Sequence, residues 1–144
     1  MGSWKEKEYT YRCRFLKAYS EIYCDLPKIP IHLLRGGKIF PTEGVLDSGC
    51  SRTHIRADIA KFLGIDYQKL PKTDTHGLTG SQDGWKAKIL LEVIDHGEPF
   101  EITAIIVEKL PDPITVLLGN NDFFDKFNVR FERGRQYFYV KRVK

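Results

Sequence analysis

The sequence has no Cys-x-x-Cys spacing, no pair of histidines at helical spacing and no apolar run approaching the length of a bilayer span. Each absence removes a class of function. Cys13, Cys24 and Cys50 are odd in number and lie apart from any histidine cluster, so neither a disulfide framework nor a zinc site is indicated, and reduced thiols are expected. His32, His54, His76 and His96 are scattered, which excludes the helical histidine pair of a metalloprotease; no metal and no cofactor is assigned. Without a long apolar run there is no spanning helix and no membrane partner to expect. Lys5, Glu6, Lys7 and Glu8 are charged where a secretory leader would turn apolar, so a soluble, cytoplasmic protein is expected. An excess of one charge is also lacking, the net value being +4. Arg130, Arg133, Arg135, Lys141, Arg142 and Lys144 gather near the end, but no recognition motif accompanies them and nucleic acid is not expected as a partner.

What is present is enough for one domain: 144 residues, 42% hydrophobic and 29% charged. The patterning is mostly β. Residues 9–16 alternate Tyr9, Tyr11, Cys13 and Phe15 against polar neighbours, as a half-buried strand would. Pro27 and Pro30 follow, so residues 1–26 read as an N-terminal extension adding one strand or packing at an edge. Residues 29–34 and 38–46 read as a hairpin turning at Gly36-Gly37. Ile55, Ile59, Phe62 and Leu63 predict a helix stopped by Gly64. A polar, glycine-rich stretch over 72–84 precedes a second hairpin, 85–94 and 99–107, turning at His96-Gly97. Phe123, Phe124 and Phe127 predict a second helix over 121–127, and residues 129–140 a strand pair across Arg133-Gly134. Many short strands with two short helices argue for a small, mostly antiparallel β-barrel or sandwich.

The chemistry concentrates at Gly44-Val45-Leu46-Asp47-Ser48-Gly49-Cys50, an apolar strand running into a carboxylate, a hydroxyl and a glycine. Glycine permits a tight turn and offers its amide to the carboxylate, and the hydroxyl can brace the loop. Two such loops facing across a two-fold would force their carboxylates to share a proton, one acting as base on a water and the other as acid. The triplet alone is also ordinary turn chemistry.

Its setting resembles the retropepsin-like aspartic proteases over roughly residues 29–140. Three features carry the resemblance: Val45-Leu46-Asp47-Ser48-Gly49 with Ile55 six residues after the glycine, the flap-like Gly77-Leu78-Thr79-Gly80, and Val116-Leu117-Leu118-Gly119 opening into Asp122-Phe123-Phe124. The resemblance implies a small closed β-barrel of the acid-protease type with one or two short helices, occupying residues 27–144. It further implies an aspartic endopeptidase with Asp47, Ser48 and Gly49 at its catalytic centre. Gly77, Leu78, Thr79 and Gly80 would form a flap over a polypeptide substrate, and Leu118 and Gly119 the wall of the site. A chain this short carries one such aspartate, so a homodimer is expected to supply the second. Two departures stand out. Cys50 replaces the family's small alanine, either as a plain buried thiol or as a redox-sensitive group beside the pair. Asn120 and Asn121 stand where viral members often carry a dimer-contacting arginine, so the dimer seam must differ, and the N-terminal extension is a candidate for it. A non-catalytic dimerisation or peptide-binding module, or a protease domain that processes only itself, are the competing readings.

Overall fold

The computed structural model describes residues 4–77 and 80–144. The first hairpin forms where the paired glycines place it, from β4 (Lys28–Arg35) and β5 (Lys38–Leu46), preceded by three strands of the N-terminal segment. Gly36 and Gly37 have φ of 56° and 80°, as a two-residue hairpin turn demands. Alternation does the rest, since Ile29, Ile31 and Leu33 all point from β4 into the core.

After a loop that carries Asp47, β6 (His54–Arg56) leads into α1 (Ala57–Phe62). Ile55, predicted to be helical, therefore lies on a strand, two residues before the helix begins at Ala57. The stop is as predicted: Gly64 adopts φ 76° just past Leu63, a conformation that glycine takes without a β-carbon clash. Next come β7 (Lys72–Gly77), β8 (Gly80–Val93), β9 (Phe100–Val107) and β10 (Val116–Leu118). The second hairpin thus begins earlier than the apolar pattern suggested, because β8 first pairs with β7 before it pairs with β9.

Hydrogen bonding runs β4-β5-β10-β6-β9-β8, and β8 pairs back onto β4, so these strands close into a ring with β7 hanging from β8. β10 lies parallel to β5 and antiparallel to β6, inserted between two strands consecutive in sequence. That insertion places the start of the Asp47 loop directly against the end of β10. The fold is mostly β with short helical segments, as expected.

A second layer packs against the core of the ring. β11 (Phe127–Glu132) and β12 (Tyr137–Arg142) form the expected C-terminal pair, and β1 (Lys7–Thr10) joins β12 on its other edge. Phe138, Val140 and Phe127 are buried beneath it, with Phe127 stacked on Phe123 at 4.4 Å between ring centroids. The predicted helix over 121–127 is a single wide turn, Asn120–Phe124, whose amides at Phe124 and Asp125 reach five residues back. Phe127 belongs to β11 because its buried side chain is needed under that sheet.

Two expectations fail in the N-terminal segment. The strand predicted over 9–16 breaks at Tyr11, where the chain leaves β12 and enters a separate ribbon of β2 (Arg12–Leu16) and β3 (Glu21–Leu26). Tyr9 and Tyr11 do pack on Phe138, but Phe15 projects into solvent because the ribbon stands off the body. The expectation of reduced thiols fails for two of the three cysteines: Cys13 and Cys24 face each other across the ribbon as a disulfide, and Cys50 alone is free. Their pairing depended on a turn at residues 17–19 that residue spacing did not announce.

The second layer is locked by polar groups. Buried Arg142 donates to the carbonyls of His96 and Glu98, each at 2.8 Å. His96, also buried, meets the Tyr9 hydroxyl through Nε2 at 2.8 Å, and its Nδ1 finds no partner among the described residues. Burial holds the His96 imidazole below its ordinary value of 6.5; Lys7 and Arg142 push the same way and Asp95 opposes them. Tyr9 is pushed up to about 12, by burial and then by Asp95. Above the ordinary histidine value neither folded nor unfolded chain protonates at this site. As pH falls below it, the unfolded chain takes up a proton that the folded chain refuses. Stability is therefore expected to drop by up to about 1.4 kcal/mol per pH unit until the folded value is reached. Denaturant unfolding across that range checks this, and His96→Phe should remove that part of the slope while costing about 1–3 kcal/mol for the Tyr9 hydroxyl left unpaired.

Candidate active site

Asp47 follows directly from β5, and its position is set by the strand beside it: the Asp47 amide donates to the Leu118 carbonyl at 3.0 Å. The chain then turns back on itself. The Gly49 amide donates to Asp47 Oδ1 at 3.0 Å and the Cys50 amide to the Asp47 carbonyl at 3.1 Å. Asp47 is half-buried, while Ser48 and Gly49 are exposed, so the turn presents a carboxylate at the surface on a firmly held backbone.

The loop that follows crosses the end of β10 at Gly119. A β-carbon on Gly119 would lie 2.5 Å from the Arg52 carbonyl carbon and 2.9 Å from the Cys50 oxygen, so only glycine fits the crossing. Hydrogen bonds lace the two segments together. Asn120 and Asn121 donate their amides to Cys50 and Ser51 at 2.8 and 2.9 Å, and Asn120 Nδ2 donates to the Ser48 carbonyl at 2.8 Å. Thr53 is buried and central: its hydroxyl accepts from the Gly119 amide (3.2 Å), its amide donates to Asp122 Oδ2 (2.7 Å), and its carbonyl accepts from the Ile105 amide (2.8 Å). Asp122 is itself buried, with the Arg52 guanidinium 3.9 Å away. Charge-assisted bonds of this kind are the stronger class, and they fix the loop that carries Asp47.

A cleft of about 480 Å³ opens beside this loop, bounded by Gly49, Arg52 and His54 on one side and by Thr73, Asp74 and Thr75 of β7 on the other. His54 joins the two sides. Its Nδ1 donates to the Arg52 carbonyl (2.9 Å), which can only accept, leaving Nε2 to meet the Thr75 hydroxyl (2.7 Å). The Cys50 thiol points at the same carbonyl (2.9 Å) and lies 3.1 Å from His54 Nδ1. Burial pushes the Cys50 thiol up from its ordinary value; its hydrogen bond to the Arg52 carbonyl opposes this, and the negative charges of Asp47 and Asp122 add to it. The Arg52 carbonyl thus gathers the Cys50 thiol and the His54 imidazole at one point beside the cleft.

The residues predicted from sequence are distributed as follows. Asp47, Ser48 and Gly49 form one turn, and Gly119 packs directly behind it. Leu118 is fully buried behind the same turn, where it fills the space left by the absent side chain of Gly44. Gly77 and Gly80 pair across the β7–β8 hairpin beside the cleft; Leu78 and Thr79 lie outside the described residues. Three positioning residues were not anticipated, namely Thr53, Asn120 and Asp122. The only sequence signal for them was the polar run Asn120-Asn121-Asp122 immediately after Gly119.

No family model matches the sequence, and no curated protein matches it. Solved structures do. A retropepsin-like aspartic protease from Rickettsia conorii superposes at a TM-score of 0.58 over 99% of this chain and 96% of that one, with 16% identity. EIAV protease in complex with an inhibitor gives a TM-score of 0.55 over 70% of this chain and 88% of that one, with 14% identity. The fold is retropepsin-like.

The crossing makes a direct prediction. Gly119→Ala should destabilise the protein by about 1–3 kcal/mol through overpacking, whereas Gly134→Ala, with nothing within 4 Å of its added carbon, should change stability little. Chemical denaturation of both variants measures the difference.

Proposed function

We propose that the protein is an aspartic endopeptidase that acts as a homodimer, with Asp47 from each of two chains activating one water. The observation that carries this reading is the exposed turn at Asp47, whose carboxylate is aimed by Gly49 and whose backbone is locked through Gly119. Two carboxylates brought side by side cannot both ionise, so the pair shares a proton. The ionised member takes a proton from water as it attacks the peptide carbonyl, and the protonated member donates to the carbonyl oxygen. Rigid backbone support matters because the second carboxylate must approach within hydrogen-bond reach of the first, and a loose loop would lose that geometry.

The β7–β8 hairpin is read as the flap. Its root is anchored by the Thr75 to His54 contact and by close packing of Gly84 on Ile105, and its sequence from Lys72 to Gly84 is mostly polar and contains three glycines. An extended polypeptide would bind beneath it by strand pairing, with alternate side chains entering pockets such as the cleft beside Arg52. No group in this scheme calls for a metal or cofactor. Among the described residues no helix is long and apolar enough to cross a membrane. A cytoplasmic setting, expected from sequence, would have to tolerate reduction of the Cys13–Cys24 bond, since such bonds persist mainly in oxidising compartments.

Incubation of the full chain with a mixed peptide library across acidic to neutral pH tests the reading. Cleavage should follow a bell-shaped profile whose two apparent pKa values belong to the pair, and Asp47→Asn should reduce it by at least about a hundredfold. A library left untouched at every pH would favour the non-catalytic module. Cleavage confined to the protein's own N-terminal segment would favour self-processing.

A further inference from the structure

We propose that the ribbon of β2 and β3 is the seam through which two copies of this chain join; the need for a second copy rests on the paired-Asp47 reading. The ribbon pairs with neither the ring nor the three-stranded layer, so among the described residues both its edges keep open backbone groups. Phe15, Tyr19 and Ile22 are 62%, 67% and 72% exposed, and Phe15 stands directly opposite Ile22, so the two share one face. A two-stranded ribbon gains little stability by itself, and side chains of this kind gathered on its surface mark a contact site.

The far end is apolar and bare while the near end is tied down. The Cys13–Cys24 disulfide closes the ribbon, and Arg14 grips Asp25 through a fork at 3.0 and 3.1 Å. Arg12 pairs with Glu43 of β5 at 3.1 Å, and Arg133 donates to the Cys24 carbonyl from the β11–β12 turn. None of these contacts covers Phe15 or Ile22. A preorganised surface binds without an ordering cost, which distinguishes this ribbon from a floppy terminus.

Its place in the fold selects a second copy as the occupant. β3 ends at Leu26; the next carbonyl, that of Pro27, accepts the Leu46 amide at 2.9 Å, and Lys28 pairs with Val45. The root of the ribbon is thus one hydrogen bond from the strand that delivers Asp47. In a two-fold arrangement with the two Asp47 turns side by side, whatever neighbours Asp47 lies at the axis, and each copy meets the same surface of the other. The six paired strands of the ring are closed to strand addition, and the other open edges among the described residues, at β7, β1 and β11, do not adjoin the strand that delivers Asp47.

Sedimentation of the full chain from nanomolar to high micromolar concentration tests the seam without reference to activity. Wild type should dimerise, and Asp47→Asn should dimerise equally. Combined Phe15→Glu and Ile22→Lys should raise the dimer dissociation constant by about a hundredfold or more, with the near-ultraviolet spectrum of the monomer unchanged. The milder pair Phe15→Ser and Ile22→Thr should act in the same direction if the charged pair disturbs folding. Phe131→Glu, at an exposed aromatic on β11, should leave dimerisation intact. Undiminished dimerisation of the ribbon variants, separation of the copies by Phe131→Glu instead, or a wild type monomeric at every concentration would each overturn the proposal. A ribbon-dependent dimer whose peptide cleavage survives Asp47→Asn would strike the catalytic reading and leave the seam standing.

Discussion

The structure depends on one crossing, where the chain from Cys50 to Thr53 passes over Gly119 with no room for a β-carbon between them. β10 can lie between β5 and β6 only because the loop joining those two strands clears its end at this point. The insertion closes the ring, and the same loop presents Asp47. Tight backbone contact alone would leave buried polar groups unpaired. Thr53, Asn120 and Asp122 supply the missing partners, which turns a close approach into a fixed geometry. Packing and chemistry therefore share one constraint: the residues that hold the ring together also aim the carboxylate.

The rest of the chain builds outward from that point in order of decreasing burial. The core of the ring is apolar and dense, and the C-terminal layer adds Phe127 and Phe138 beneath a strand contributed by the N-terminal segment. Beyond these lie two segments with little burial of their own, the outer part of the β7–β8 hairpin over 72–75 and 80–83 beside the cleft, and the β2–β3 ribbon rooted next to the strand that leads to Asp47. Both leave the body near the Asp47 turn. Elements with few apolar anchors open or dock most readily, so the parts suited to meeting a substrate or a partner flank the group that would do the chemistry.

Much of this was legible in the sequence where the cause is local. Gly36-Gly37 and Gly64 announced a turn and a helix end because positive φ is a property of single residues. The Asp47-Ser48-Gly49 turn was legible because three residues that favour turns stand together, and Gly119 through its place after an apolar run. What was not legible depends on distant segments. Tyr11 looks like the middle of a strand until β12 and β3 compete for its neighbours. Phe15 keeps the alternation of a buried strand yet is exposed, since nothing in residues 9–16 says which sheet will cover them. The Cys13–Cys24 bond needed the register of the ribbon, and the roles of Asp122 and Asn120 needed a partner some seventy residues earlier in the chain.

The central claim is that Asp47 works only as one of a pair. Mixing wild type with Asp47→Asn chains at constant total concentration, after time for subunit exchange, tests it most directly. If each active unit needs two intact Asp47 residues, peptide cleavage should fall as the square of the wild-type fraction. A fall in simple proportion to that fraction would show that one chain suffices and would contradict the account.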